Sequence, residues 1–140
     1  MCLRALSIGI IRVFLTLAVL LITSAWAQNA RQFNFWGNNG STPSGGLAVD
    51  AVGNFYGVTY IGGPSNLGVV YELSPSSDGA AETVLYRFSG TETGDGANPI
   101  GDLLFDRTGN LYGATQFGGN AGVSCDPRGC GTVFELSPPS

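Results

Sequence analysis

The sequence predicts an all-β protein made of about two four-stranded antiparallel units, and three observations carry that prediction. The first is an internal repeat. Leu47-Ala48-Val49-Asp50-Ala51-Val52-Gly53-Asn54-Phe55-Tyr56-Gly57-Val58-Thr59 returns as Leu103-Leu104-Phe105-Asp106-Arg107-Thr108-Gly109-Asn110-Leu111-Tyr112-Gly113-Ala114-Thr115, with Asp106 standing 56 positions after Asp50. Gly68-Val69-Val70-Tyr71-Glu72-Leu73-Ser74-Pro75 returns as Gly131-Thr132-Val133-Phe134-Glu135-Leu136-Ser137-Pro138. A fixed period of this size marks architectures in which each unit buries its apolar face against the next. The second is a series of short runs rich in Val, Leu, Phe, Tyr and Thr, bounded by Gly, Asn, Asp, Ser and Pro, the pattern of strands and turns. The third is the lack of a helical apolar period beyond the first residues, in a chain with 22 glycines and 7 prolines. Such units are propeller-blade-like. Two of them form either an incomplete propeller, since propellers close with roughly 4–8 blades, or two packed sheets.

Residues 1–27 read as a secretory signal peptide. Arg4 and Arg12 give a positive start, Val13 to Ile22 is uncharged and apolar, and Ala25-Trp26-Ala27 is a small-x-small cleavage site. The competing reading, an uncleaved anchor, needs roughly 20 apolar residues, which this run does not supply. Residues 28–140 read as a single β-repeat domain, with no membrane span after cleavage. Its four arginines (Arg31, Arg87, Arg107, Arg128) face ten acids, with no lysine and no histidine in the chain. That balance disfavours nucleic acid, where cations on phosphates supply most of the affinity, and anionic membranes. It fits a secreted protein of the periplasm, cell surface or exterior.

Repeat unit 1 spans about 46–90, with strands expected at 46–50, 55–60, 69–73 and 83–88. Repeat unit 2 spans about 102–138, with strands at 102–106, 111–116 and 132–136. A fourth strand for the second unit is expected from about 32–37, because Asn34-Phe35-Trp36-Gly37 shares Phe-x-Gly with Arg87-Phe88-Ser89-Gly90. Asp50-x-x-Gly53-Asn54 and Asp106-x-x-Gly109-Asn110 join strands as turns: Asp accepts a local N–H, and Gly takes the positive φ. Calcium is the competing use of these residues, but one carboxylate per turn is few for that ion. Tyr56 and Tyr112 read as half-buried packing residues with wet hydroxyls. Glu72 and Glu135 read as outward-facing or turn-bonded carboxylates, with a paired catalytic acid as the alternative. The second unit carries a seven-residue insertion between Gly119 and Gly131. Within it, Cys125 and Cys130 are expected to form a disulfide in an oxidising compartment. Cys2 lies in the signal segment, so residues 28–140 hold no further Cys or His as ligands for a metal, and the spacing is not the Cys-x-x-Cys of redox catalysts.

The pattern Gly-Leu-x-x-Asp-x-x-Gly-Asn-Leu-Tyr-Gly-x-Thr … Gly-Gly … Gly-x-Val-Phe-Glu-Leu-x-Pro … Glu-Thr-Val-Leu-Tyr-x-Phe resembles the GloVer tandem repeat of exported bacterial choice-of-anchor proteins. Leu103–Thr115, Gly118-Gly119 and Gly131–Pro138 carry it, and so do Leu47–Thr59, Gly62-Gly63, Gly68–Pro75 and Glu82–Phe88. The resemblance implies long arrays of blade-like units on secreted or surface-attached proteins. It implies no catalytic residue and no cofactor. The chain departs from the family pattern in having about two units, and is expected to be either whole or a piece of a longer array.

Two functions follow. The first is a non-catalytic module of the envelope or exterior that acts by adhesion, recognition or scaffolding. Its partner would be a glycan or another envelope protein, with Trp36, Tyr60 and Phe117 as candidate ligand contacts. Open sheet edges would also permit self-association. The second is an extracellular polysaccharide hydrolase or lyase using acids such as Asp95, Asp102 and Asp106. Without histidine no Ser-His-Asp triad exists, so no catalytic, cofactor-binding or metal-binding residue is assigned.

Overall fold

A computed structural model describes residues 32–138, apart from 78, 121 and 123. The expected signal segment, 1–27, lies outside the described residues. Residues 33–138 hold seven strands in two antiparallel sheets. The first sheet has the order β1 (Ser41–Val49), β2 (Phe55–Ile61), β3 (Val69–Ser76) and β4 (Gly79–Arg87). A short 3-10 turn, Thr91–Thr93, leads to the second sheet, β5 (Gly96–Phe105), β6 (Leu111–Gly118) and β7 (Thr132–Leu136).

The two sheets share one register. Tyr56 pairs with Glu72 as Tyr112 pairs with Glu135, and Phe55 with Leu73 as Leu111 with Leu136. The first strand of each sheet carries the same irregularity, between Ser44 and Ala48 and between Ile100 and Leu104. Gly45 and Gly101 sit at these bulges, both at φ +77°, a conformation that costs other residues energy. Pairing nevertheless starts five residues before the expected position in β1 and six before it in β5. Pro43 and Pro99 look like breakers in sequence, yet they pair with Thr59 and Thr115. Both lie on edge strands, where a missing N–H leaves no ladder bond unmade.

Side chains alternate across each strand, so each sheet has two faces. One face of the first sheet carries Ala48, Tyr56, Val58 and Val70. The opposite-parity face of the second carries Leu103, Phe105, Leu111, Phe134 and Leu136. These two faces, with Phe88 from the connection, form one core. Val58, Val70, Leu103 and Leu111 are all at most 4% exposed, and each buried aliphatic of this kind contributes about 1.5–3 kcal/mol.

The expected N-terminal strand at 32–37 does not form, and the second sheet has three strands. Phe35 instead stacks edge-on against Tyr71 of the first sheet, centroids 4.8 Å apart. The likeness to Phe88 is nevertheless structural. Phe88 stacks on Phe134 at 5.2 Å, and Phe134 is the counterpart of Tyr71. Phe33 packs on Phe35 as Tyr86 packs on Phe88, at 5.2 and 5.1 Å. The sequence match was to the linker entering a sheet, not to a strand completing one. Gly37 and Gly40 bridge each other and lead straight into β1, so this segment enters the first sheet.

Candidate functional site

The two aspartate turns are built alike. The Asp50 carboxylate accepts the backbone N–H of Val52 and Asn54, the Asn54 amide and the Tyr56 hydroxyl, at 2.9–3.0 Å. The Asp106 carboxylate accepts the Thr108 and Asn110 N–H, the Thr108 hydroxyl, the Asn110 amide and the Tyr112 hydroxyl, at 2.8–3.3 Å. Gly53 and Gly109 close the turns at φ +94° and +90°. Burial pulls the Asp50 carboxyl upward, but bonds from Asn54, Tyr56 and Val52 outweigh it and hold the group below its ordinary value. Asp106 shows the same balance, also ending below its ordinary value. The tyrosine hydroxyls are thus not simply wet. Burial, then the Asp50 bond, raises the Tyr56 phenol above its usual value, so it stays a neutral donor.

Between the sheets lies a cleft of about 350 Å³ lined by Tyr56, Glu72 and Leu85 of the first sheet and by Phe105, Leu111, Glu135 and Leu136 of the second, with Gly109, Ser137 and Pro138. Tyr56 meets Phe105 edge-on at 5.0 Å. The cross-strand registers put Glu72 beside Tyr56 on the cleft face of the first sheet, but Glu135 beside Tyr112 and Leu104 on the face of the second sheet opposite to Leu111 and Leu136, so the two recurring carboxylates lie on different faces. Ser74 donates its hydroxyl to Glu72 at 2.8 Å, and Ser137 to Glu135 at 3.2 Å. An apolar slot with the Glu72 side chain on its face suits a ligand with a nonpolar face and a hydroxyl donor.

The three candidate ligand contacts do not form one platform. Trp36 is 78% exposed. The Tyr60 hydroxyl donates to Gln116 at 2.9 Å. Phe117 is a correction: it lies in the core, 9% exposed, with the Arg128 guanidinium 3.6 Å over its ring. Strand alternation turns Phe117 inward with Leu111 and Thr115, and Arg128 is held there by Asp126 at 2.9 Å. The candidate acids are engaged within the fold. Asp102 accepts the Gly46 N–H at 2.5 Å, and Asp95 accepts from Ser89 and Gly96. Cys125 and Cys130 form a disulfide with Cα atoms 5.1 Å apart. Its loop lies along Gly118, whose N–H reaches the Arg128 carbonyl at 2.6 Å.

One residue was missed in the sequence. Glu82, paired with Leu73 on β4, keeps Oε1 buried without a hydrogen-bond partner among the described residues, while Oε2 accepts from Asn39. Burial pushes its carboxyl above the ordinary value, and Asn39 and Arg87 pull it partly back. Its shared parity with Val84 was the signal that could have found it.

No curated protein and no solved structure matches the chain. The family model described as the Gloeobacter/Verrucomicrobia repeat matches residues 19–140, nearly the whole sequence. With both copies of the pattern folded on one register, the chain belongs to the Gloeobacter/Verrucomicrobia repeat family.

Proposed function

We propose that the chain is an exported, non-catalytic repeat module that acts in the cell envelope or outside the cell by recognition or scaffolding. The observation that carries this reading is where its recurring polar groups point. Asp50, Asp106, Asn54 and Asn110 hold turns, and Asp102 holds one sheet to the other. These groups act on the chain itself, as a scaffold requires. The leader-like sequence of residues 1–27 supports export. The cleft between the sheets and the exposed Trp36 supply aromatic and carboxylate surface for a glycan.

Binding of the purified protein to an array of bacterial and plant polysaccharides tests the glycan form. Retention of at least one polysaccharide, without shortening of the chain, is the expected result. No binding across the array overturns that form.

A further inference from the structure

The contact between the two sheets joins equivalent positions of the repeat. A Cβ at Gly45 would collide with the Gly101 carbonyl. The Gly46 N–H bonds the Asp102 carboxylate, and the Tyr60 hydroxyl bonds Gln116. In each pair the second residue is the first one's own counterpart. The faces that pack are of opposite parity, Ala48, Val58 and Val70 in the first sheet against Leu103, Phe105 and Leu111 in the second, so each unit contributes a different surface and the contact is heterologous. Each unit therefore keeps its other surface open.

Those open surfaces carry large exposed apolar side chains. On the second sheet, Leu104 and Val133 are 69% and 81% exposed, where their counterparts are the half-buried Ala48 and the fully buried Val70. On the first sheet, Leu47, Val49 and Phe55 are 52%, 53% and 37% exposed, where their counterparts Leu103, Phe105 and Leu111 are core. Sizes shift in opposite directions on the two surfaces. Leu104 is larger than Ala48, while Val49 is smaller than Phe105. Ala114 is smaller than Val58, while Phe55 is larger than Leu111. The backbone is prepared as well. A Cβ at either Gly68 or Gly131 would meet a carbonyl of its own sheet, but at Gly68 it would also meet Pro99 of the adjoining sheet at 2.5 Å. Nothing lies within 4 Å of a Cβ at Gly101, although Gly45 at the same φ is closed off.

We propose that the open face of the second sheet binds the first sheet of a second copy of this chain, repeating head to tail the contact already made within the chain. Pro43 of the second copy then sits at Gly131, as Pro99 sits at Gly68. Leu47 and Phe55 of that copy cover Val133 and Leu104. At two units per chain, closure at roughly 4–8 units gives a ring of two to four copies. The assembly is independent of what the cleft binds.

The test is the mass of the purified chain in solution, with two single-face variants. Leu104→Asp disables the second sheet's face, and Leu47→Asp the first sheet's. Both positions are exposed, so the fold survives, as circular dichroism verifies; Val133→Asp duplicates the first variant. The expected result is a closed oligomer of two to four chains. Each variant alone is expected to be monomeric, with association weakened at least tenfold. An equimolar mixture of the two is expected to form a dimer, because each supplies the face the other lacks. Gly101→Ala is also expected to block association. A monomer at all accessible concentrations overturns the proposal. So does an oligomer that survives Leu104→Asp, which would indicate a symmetric contact or one made by residues 1–31.

Discussion

Phe88→Ala is the perturbation that most directly loads the contact between the sheets. Phe88 is 2% exposed and lies in the connection between the sheets. Its ring meets Tyr86 at 5.1 Å and Phe134 at 5.2 Å, inside the cluster formed by Val58, Val70, Leu103 and Leu111. Truncating a buried Phe to Ala costs about 3–5 kcal/mol, from lost transfer energy plus the cavity left behind. Small domains have only about 5–15 kcal/mol in total, so the variant should lose a large fraction of its stability. Phe35 provides an internal control. It makes the equivalent ring contact with Tyr71, but it is only half-buried, on the outer face of the first sheet. Phe35→Ala should therefore cost about 1–2 kcal/mol, from the smaller apolar area removed from water. Urea unfolding followed by far-ultraviolet circular dichroism measures both. Protein concentration must be fixed and low, because association would stabilise the folded state by mass action. A Phe88→Ala cost below about 1 kcal/mol, or one no larger than that of Phe35→Ala, would refute the reasoning that the sheets share a single core.

Further outcomes follow from named contacts. Gly45→Ala and Gly101→Ala impose the same left-handed strain, about 1–2 kcal/mol, but only Gly45→Ala also drives a Cβ into the Gly101 carbonyl, so it should show the larger fall in melting temperature. The Asp50 and Asp106 carboxyls are held below their ordinary values, so their contribution is present above the usual aspartate range and lost as pH falls; Asp106→Asn should flatten that acid limb of a stability-versus-pH curve. Glu82 has the opposite sign. Its raised carboxyl favours the fold at low pH, and that contribution disappears as pH rises through its folded value, so Glu82→Gln should remove a decline in stability between the ordinary glutamate range and neutrality. Reducing the Cys125–Cys130 disulfide should cost at most about 2–3 kcal/mol, because the closed loop is short, and should leave the far-ultraviolet spectrum unchanged.

The strand order and the sheet registers were legible because the chain repeats. Two copies of Asp-x-x-Gly-Asn-x-Tyr at one offset fix the turn, the hairpin and the side-chain parity together. The strand starts at Ser41 and Gly96 were hidden by Pro43, Gly45, Pro99 and Gly101. These are poor strand residues in isolation, but they suit a bulged edge. The fate of Phe35 was half legible: its kinship with Phe88 shows in sequence, but the sheet it packs on, through Tyr71, does not. In the site, the aspartate turns were readable from local chemistry. The bond from Tyr56 to Asp50 was not, because it depends on a strand turning back over its own hairpin. Phe117 was expected at a ligand surface, whereas parity along β6 sends it inward. The placing of Glu72 on the cleft face and of Glu135 on the opposite face of its sheet depends on which face of each sheet packs on the other, which a repeat alone does not specify.

Ring-to-ring nuclear Overhauser effects in the associating-face variant Leu104→Asp test most directly whether two copies of one unit pack through a shared core. The account predicts cross-peaks between Tyr56 and Phe105, whose centroids are 5.0 Å apart, and between Phe88 and Phe134, at 5.2 Å. Cross-peaks confined to residues of the same sheet, with none linking Tyr56 to Phe105, would contradict it.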